Sequence, residues 1–440
     1  MEKLTAKQIN RKLGYRWLCF FALSIVGLLV QFHRSSTGVI FDELTQTFNL
    51  SSTTYGLLSS MYFYPYVVMQ LPNGILADKI GARKTVAFGG LLTVIGTILF
   101  AASQNYALLC FGRVLVGMGV STQMVCMQKL SSSWFRSSEM ATISGINSTI
   151  GSLGGLISQA PLALLVSVVS WRMTFAGLAV FSAVVYVVCY LLVRDTPHDK
   201  GLPTIEELEG SISPKQNKRE KTSTGRAILN VVRNRNMWPM FIIMPVCMGA
   251  YTVFSGTWGV PYLREVYGLS NVEASTLTSY LMIGMFIGSF AAGFISDRIR
   301  SRKKVIVGIC ALVCFEWMML VYGTGLLMSR ALLTAVIFMF GFTASAVPVS
   351  LSTCREMNDR RYVGTAVGLS NMIGMSASAI FPTVCGSLND RFGQLTGAEL
   401  YRHTFGFIAI LSCIALVIAV VFLKDTKCEY IEPNMGSVKK

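Results

Sequence analysis

Long apolar runs separated by short polar segments dominate the chain. Twelve of these runs are long enough, at roughly 20 residues, to cross about 30 Å of hydrocarbon as a helix. They lie at 16–40, 54–77, 85–104, 107–129, 139–166, 172–193, 238–262, 273–296, 305–326, 331–353, 363–387 and 402–423. The pattern predicts an all-α membrane protein with these runs as spans 1 to 12. The first run is too long for a signal-peptide core and lacks a cleavage site, so it counts as a span.

One long polar stretch divides the spans into two blocks of six. This stretch contains prolines, an acidic patch and a basic run, which is the composition of a linker. The predicted organisation is, in chain order, a cytoplasmic amino terminus at 1–15, a six-helix bundle at 16–193, a cytoplasmic linker at 194–236, a second six-helix bundle at 237–425 and a cytoplasmic tail at 426–440.

The charge distribution supports this organisation. The chain has 38 Lys and Arg against 22 Asp and Glu, a formal net charge of +16, and only 14% of its residues are charged. Thirty-one basic residues fall at the termini and in the loops that would share their side of the membrane. The opposite loops hold five, namely Arg172, Arg264, Arg330, Arg391 and Arg402. By the positive-inside rule, we predict an inner-membrane protein with both termini cytoplasmic, and the basic excess does not indicate nucleic acid binding.

The sequence shows no motif for a metal, a nucleotide or covalent catalysis. The eleven cysteines occur singly, most of them inside apolar runs, without metal-site spacing. A G-x4-G-K-[ST] phosphate loop is missing from the sequence, and no nucleophile, base and orienting group stand out. We therefore predict no metal, no cofactor and no enzymatic activity, and we expect a monomer.

The two blocks repeat short segments in the same order. The segment GILADKIGARK at 74–84 recurs 219 positions later as GFISDRIRSRK at 293–303. Likewise, RDT at 194–196 closes span 6 and KDT at 424–426 closes span 12. Ordered matches of this kind predict two similarly folded halves, with a ligand site expected at their interface near the membrane midplane.

The segment at 74–84 resembles the signature G-x-x-x-D-x-x-G-x-[RK]-[RK] of the major facilitator superfamily, and the resemblance covers nearly the whole chain. It implies the major facilitator fold, two pseudo-symmetric six-helix bundles, and transport by alternating access. It also implies a latch between the cytoplasmic ends of the bundles, formed by Gly74, Asp78, Gly81 and Arg83 with Asp297 and Arg298. Arg300 replaces the signature glycine in the second copy, so its turn is expected to differ. The alternative is that both segments only set the topology.

Arg34 is the main candidate for substrate binding. It lies deep in span 1 and shares a helix face with Gln31, which indicates a water-filled cavity. A guanidinium matches the planar fork of a carboxylate, so the substrate is predicted to be anionic or zwitterionic. An ion pair with another helix is the alternative.

Aromatic residues form further candidate walls for a substrate. Tyr62 and Tyr66 share a face of span 2, and Tyr251 and Trp258 follow helical spacing on span 7. The superfamily fold would place them in or beside the cavity, while plain packing is the alternative.

Three residues are candidates for proton coupling. His33 is a candidate because an unperturbed histidine titrates near neutrality, and Glu316 is a candidate because it is the only acid deep in a span. Arg113 lies in a segment that resembles the second motif of the superfamily, whose arginine is associated with coupling. The alternatives are structural roles for His33 and Glu316, and an Arg113 that extends to the membrane interface.

Together these features predict a secondary active transporter, coupled to protons, for a small organic solute that bears a carboxylate. The chain also resembles a bacterial branch of the superfamily that is related to lysosomal dipeptide carriers. This resemblance is carried by three short segments, at His33-Arg34, 62–66 and 258–261. Dipeptides are therefore candidate substrates beside sugar acids and other organic anions. The expected partners are the solute, the proton and the lipid bilayer. A multidrug or metabolite efflux antiporter is the alternative function, followed by a non-transporting receptor.

Overall fold

The computed structural model describes residues 14–136, 139–201, 224–323, 328–345, 347–358 and 362–427. These residues are helical apart from short connections, and no strand occurs among them, which confirms the all-α prediction. Most of the predicted amino terminus, linker and tail lies outside the described ranges.

The amino-terminal half is built from α1 to α9. These helices are α1 (Tyr15–Val39), α2 (Phe41–Phe48), α3 (Ser52–Ile80), α4 (Ala82–Ala101), α5 (Tyr106–Val120), α6 (Thr122–Trp134), α7 (Met140–Ile157), α8 (Ala160–Val168) and α9 (Trp171–Leu192). Predicted spans 4 and 5 are each divided into two consecutive helices, α5 with α6 and α7 with α8.

The carboxyl-terminal half is built from α10 to α18. These helices are α10 (Thr224–Arg233), α11 (Trp238–Thr252), α12 (Gly259–Tyr267), α13 (Asn271–Ile299), α14 (Arg302–Tyr322), α15 (Arg330–Ala344), α16 (Val347–Glu356), α17 (Val363–Arg391) and α18 (Gly397–Val421). A π-helical segment, Val253–Trp258, joins α11 to α12 inside predicted span 7.

The chain divides into two compact units. The first comprises the described residues within Met1–Phe48 and Met61–Lys218, and the second those within Asn49–Ser60 and Arg219–Lys440. The start of α3 therefore groups with the second unit. Each unit has its own apolar core, with Phe20 and Trp134 in the first and Met240 and Ile243 in the second.

Ten helical segments in the described ranges are long and apolar enough to cross a membrane. Predicted spans 2 and 8 correspond to α3 and α13, which are 29 residues long but do not count among these ten. Apolar side chains also cover outward faces, such as Val184 and Leu191 on α9 and Ile410 and Val417 on α18. Such faces suit a hydrocarbon solvent rather than water.

Glycines allow close helix crossings inside each unit. A Cβ added to Gly96 of α4 would lie 2.7 Å from the carbonyl oxygen of Gly112 in α5. In the second unit, a Cβ on Gly341 of α15 would lie 1.8 Å from the carbonyl oxygen of Leu281 in α13. Backbones therefore approach directly at these crossings, as is common where lipid removes the hydrophobic drive for helix association.

The turn between α3 and α4 depends on Gly81. Its φ of 89° and ψ of 160° lie in a region that is essentially restricted to glycine. In the second copy of the segment, Arg300 has φ 50° and α14 begins one position later, after Ser301. The expected difference between the two turns is therefore present. The first copy uses a glycine-only conformation, whereas the second uses the left-handed region that other residues can occupy.

We predict that Gly81→Ala lowers the thermal stability of the purified protein. Besides the backbone strain, of order 1–3 kcal/mol, the new Cβ would lie 2.2 Å from Oδ2 of Asp195. Gly177→Ala on α9 is the control, because a Cβ there meets no heavy atom within 4 Å. Unfolding midpoints in detergent should fall for Gly81→Ala and not for the control. Equal midpoints would contradict the role assigned to this glycine.

Candidate functional site

Arg34 lies on α1 with its guanidinium beside an aromatic ring of α3. The guanidinium carbon is 5.5 Å from the centre of the Phe63 ring. One turn earlier on α1, Gln31 faces α7, and its Cγ is 3.5 Å from the position that a Cβ on Gly151 would take. A cation over an aromatic face retains favourable electrostatics where water is scarce. The sequence pattern does not indicate Phe63 as a site residue, because its contact with Arg34 depends on how α1 and α3 pack.

Arg113 is buried and holds α5 against α1. Its side chain is 2% exposed, Nη1 donates to the carbonyl oxygen of His33 at 2.9 Å, and Nη2 donates to Oγ1 of Thr37 at 3.0 Å. The guanidinium carbon lies 5.0 Å from the centre of the Tyr62 ring. The side chain therefore points into the first unit, so the alternative of extension to the membrane interface does not describe this structure.

His33 and Tyr62 lie next to Arg113, and Tyr66 of the same helix as Tyr62 stacks on the Tyr62 ring. His33 is buried, and its Nε2 has no hydrogen-bond partner within the described ranges. The Tyr62 hydroxyl donates to the carbonyl oxygen of Val30 at 3.0 Å, and its ring stacks on Tyr66 with 6.1 Å between ring centres. The first unit thus brings together most of its predicted site residues across α1, α3 and α5.

The predicted face on span 7 is altered by the π-helical segment. Its wider i to i+5 hydrogen bonding rotates the residues after it relative to those before it. The Tyr251 hydroxyl lies 3.3 Å from the sulfur of Met285, and the Trp258 indole N–H donates to the carbonyl oxygen of Pro382 at 3.1 Å. The regular helical spacing predicted from Tyr251 to Trp258 is therefore wrong. The sequence did not reveal this, because a π turn leaves no signal in the hydropathy.

Trp258 belongs to a closed contact between the start of α3 and the end of α17, both in the second unit. The Tyr55 ring packs edge-on against Trp258 with 5.4 Å between ring centres. Asp390 caps α3 by accepting the main-chain N–H groups of Ser52 and Thr53 at 2.9 and 2.8 Å. A Cβ on Gly386 would lie 2.2 Å from the carbonyl oxygen of Ser52. We call this contact, formed by residues 52–60 with 382–390 and Trp258, the α3–α17 closure.

Glu316 is buried in α14, at 1% exposure, beside Thr343 of α15. The Thr343 hydroxyl oxygen lies 3.1 Å from Oε2 and 3.3 Å from Oε1 of Glu316, and 3.0 Å from the carbonyl oxygen of Phe340. A hydroxyl has one proton to donate. A neutral Glu316 could therefore donate its carboxyl proton to Thr343, while the Thr343 hydroxyl donates to the carbonyl oxygen of Phe340. An ionised Glu316 can only accept, so the Thr343 hydroxyl would have to donate to Glu316 instead of Phe340. The geometry can accommodate two protonation states by rotation of one hydroxyl.

In the first copy of the signature segment, Asp78 forms an ion pair with Lys129, which belongs to the same unit. Oδ1 of Asp78 lies 3.0 Å from Nζ of Lys129, and the Asp78 side chain is 80% exposed. The main-chain N–H of Arg83 donates to Oδ1 of Asp195 at 2.8 Å, and its Nε donates to the carbonyl oxygen of Tyr190 at 2.7 Å. A Cβ on Gly74 would meet no heavy atom within 4 Å, so this structure shows no close helix approach there.

The second copy has a related arrangement around Arg302. Its guanidinium binds Glu356 through Nε and Nη2, with Nη2 3.0 Å from Oε1. Arg298 is exposed at the end of α13, and the side chain of Asp297 lies outside the described part of the structure.

Asp425 caps the start of α14, as Asp195 does for α4. Ser301 Oγ donates to Oδ2 of Asp425 at 2.6 Å, and the Lys303 main-chain N–H donates to Oδ1 at 3.3 Å. Partial burial alone would raise the pKa of Asp425, but these hydrogen bonds outweigh it and hold the pKa below its ordinary value. The RDT and KDT segments therefore each supply an aspartate that caps a helix of the same unit, a role that the sequence repeat alone did not reveal.

Within the described ranges, no group of three or more His, Cys, Asp or Glu side chains is arranged to hold a metal ion. Among the described residues, the candidate groups within the spans include a cationic and aromatic cluster in the first unit and Glu316 with Thr343 in the second. Neither contains the nucleophile, base and orienting group of a catalytic site.

Comparison with known proteins identifies the family. The model of the Major Facilitator Superfamily matches residues 23–382 and 260–434. The chain belongs to this superfamily. It is therefore a multi-pass membrane protein and a secondary transporter of small organic solutes, not an enzyme, which confirms the predicted class.

Several relatives are named for organic acids. The hexuronate transporter of Bacillus subtilis is 23% identical over 410 residues, which cover 91% of this chain and 94% of the relative. A probable galactarate/D-glucarate transporter of the same organism is 25% identical and covers 93% of each chain. Vesicular glutamate transporter 3 of Danio rerio is 24% identical, covering 89% of this chain and 68% of that protein.

Solved structures share the fold. A bacterial homologue of the human lysosomal transporter Spinster matches with a TM-score of 0.72 and 16% identity, covering 93% of this chain and 96% of the other. The D-xylose-proton symporter matches with a TM-score of 0.72 and 14% identity, covering 95% and 100%. At these identities the likeness establishes the major facilitator fold and nothing finer.

Proposed function

We propose that this superfamily member is a proton-coupled transporter of a small carboxylate, with sugar acids as the leading substrate class. The observation that carries the proposal is Arg34, a guanidinium placed within a membrane-spanning helix beside the Phe63 ring. Charged residues inside a span commonly mark a substrate path, and a guanidinium matches the planar fork of a carboxylate. The relatives named for hexuronate, galactarate or glucarate transport carry substrates with at least one carboxylate.

Arg113 positions this anion site in our proposal. It binds the carbonyl oxygen of His33, the residue directly before Arg34, and its guanidinium also lies over Tyr62. Because Arg113 donates to main chain, it fixes the α1 backbone rather than a rotatable side chain. Gln31, Tyr62 and Tyr66 would then contact the body of the substrate, and Tyr251 and Trp258 keep the same role as proposals for the second unit.

We place the protein in the inner membrane with both termini in the cytoplasm. The support is the excess of Lys and Arg on one set of loops. In this orientation the α3–α17 closure lies at the outer side and the segments at 74–84 and 293–303 at the inner side. The closure would be an outer gate, and Gly74, Asp78, Gly81, Arg83, Asp297 and Arg298 would form the inner latch.

A drug or metabolite efflux antiporter remains the alternative function. A broad apolar cavity would not need the guanidinium of Arg34, so the effect of removing it separates the two proposals. Dipeptides also carry a carboxylate, and a binding panel that contains both ligand classes decides between them and sugar acids.

We predict that Arg34→Gln strongly weakens the ligand-induced stabilisation given by glucuronate or galacturonate. A charge-assisted hydrogen bond contributes about 1.5–3 kcal/mol, so affinity should fall roughly 10-fold to 150-fold. The measurement is a thermal-shift titration of purified protein with sugar acids, dipeptides and glucose, the last being a matched ligand without the carboxylate. Arg34→Lys should keep part of the affinity because it keeps the charge. A ligand that stabilises wild type and Arg34→Gln equally would exclude Arg34 as the anchor.

We predict that Glu316→Gln uncouples transport from the proton gradient. The Gln amide does not ionise, so it cannot take up and release a proton during the transport cycle, but it can still hydrogen-bond to Thr343. In proteoliposomes with an imposed pH gradient, uphill uptake should fall to the level seen with a protonophore, while substrate exchange without a gradient continues. The exposed Glu399→Gln is the control. If Glu316→Gln keeps gradient-driven uptake unchanged, Glu316 is structural, and His33 and Arg113 are the candidates for proton coupling. If wild-type transport does not respond to the gradient, the proposal of proton coupling is wrong.

We predict that Gly386→Leu slows transport by weakening the α3–α17 closure. Its side chain would collide with the main chain of Ser52, which destabilises the closed state of the outer gate. A closed state that is about 1.4 kcal/mol less stable is populated roughly tenfold less, and transport that passes through this state should slow accordingly. Gly368→Ala on the same helix is the control, because a Cβ there meets no heavy atom within 4 Å. Ligand binding by thermal shift should persist in both variants, and wild-type transport by Gly386→Leu would refute the gate.

A further inference from the structure

The short helix α10 presents apolar side chains outward just before the chain enters span 7. Ile228 is 37% exposed, Leu229 46% and Val232 36%. Trp238, the first residue of α11, is 54% exposed. Exposed apolar residues on a spanning helix face lipid, but α10 precedes the span and needs a separate explanation.

The side chains of α10 are ordered around the helix axis. At about 100° per residue, Val231, Ile228, Val232 and Leu229 follow one another over roughly 160°. The opposite arc carries Arg233, Arg226 and Asn230. One edge, at Val231, is buried in the core of the second unit. The helix thus has a protein-facing edge, then an exposed apolar arc, then a basic polar arc.

Contacts at its carboxyl end hold α10 in this orientation. Nδ2 of Asn234 donates to the carbonyl oxygen of Met357 at 2.8 Å, and the Trp238 indole N–H donates to the carbonyl oxygen of Val232 at 3.1 Å. Val231 packs with Met237 in the same core. Because the buried edge and the end contacts fix the rotation of α10, Ile228, Leu229 and Val232 remain directed away from the protein.

The charges around this arc have one sign. Arg226, Arg233 and Arg235 are exposed, and the sequence from 224 to 238 contains no Asp or Glu. An amphipathic helix with arginines beside an apolar arc is typical of segments that lie in a bilayer interface. A tryptophan at the start of the following span is common at the same depth, since its ring is apolar and its N–H polar.

We propose that α10 is an interfacial anchor that binds anionic phospholipid. Ile228, Leu229 and Val232 insert at the boundary between headgroups and acyl chains, and Arg226, Arg233 and Arg235 bind lipid phosphates. Two observations favour the bilayer over a protein partner. The apolar arc leads directly to Trp238, at the start of the spanning helix, and the polar arc, whose charged residues are all basic, complements an anionic leaflet.

Hydrogen exchange of the full-length protein in nanodiscs tests this proposal. Amides of residues 226–235 should exchange at least about tenfold more slowly in phosphatidylglycerol than in phosphatidylcholine. Each arginine near an anionic surface contributes about fivefold to binding, and this segment carries more than one. The triple variant Arg226→Gln/Arg233→Gln/Arg235→Gln should lose this difference between lipids. Arg402→Gln, which removes an exposed arginine in the first turns of α18 on the predicted opposite side of the membrane, should keep it. Leu229→Gln should reduce protection in both lipids.

Fluorescence provides a second measurement that does not depend on exchange. The emission of wild type minus that of Trp238→Phe isolates Trp238, and lipids brominated near the headgroup should quench it more than lipids brominated deep in the chain. Equal exchange of 226–235 in detergent and in both nanodiscs would overturn the proposal. So would equal protection by inorganic phosphate or by a soluble acidic protein in detergent, which would indicate an anion or protein site instead of a lipid surface.

Discussion

Hydrocarbon offers no hydrogen-bond partner, so every main-chain polar group within the membrane must be satisfied by the protein itself. This constraint explains why the described spans are helices and why their ends carry caps. Asn105 caps α5 through the N–H of Leu108, and Ser329 caps α15 through that of Leu332. The carboxylate that follows the last helix of each half serves the same need by capping α4 or α14. The internal repeat thus preserves a hydrogen-bonding solution as well as a pattern of apolar spans.

The same constraint gives meaning to the charges inside the spans. The two Nη groups of Arg113 donate to a main-chain carbonyl and a hydroxyl, and its guanidinium carbon lies over an aromatic ring. Since that carbonyl belongs to His33, the contact also fixes the stretch of α1 that carries Arg34. A buried cation can therefore act through geometry without touching a substrate. The distinction between an anchoring arginine and a positioning arginine depends on partners in three dimensions, which spacing along the chain does not contain.

Hydropathy predicts the course of the chain well, because burial in lipid selects apolar residues along an entire span. Predicted span 6 at 172–193 matches α9, Trp171–Leu192, within one residue at each end. The division of span 4 at Ser121 and the π turn before Trp258 were not predicted, since they change main-chain hydrogen bonding without changing hydropathy. Gly81 was predicted as a turn residue because a glycine in a short polar loop between two spans favours a tight turn. Phe63, Thr343 and Lys129 were missed because ordinary residue types become site partners only through packing.

The two halves share a fold but differ in their buried charges, and the difference bears on mechanism. The first half carries Arg34 and Arg113 within its spans, whereas the second carries Glu316. A fixed cation is suited to hold an anion, because arginine does not lose its charge at accessible pH. A carboxyl group beside a single hydroxyl is suited to gain and lose a proton. If the substrate and the proton bind in different halves, neither has to displace the other, and their coupling must pass through the conformational equilibrium that both ligands bias.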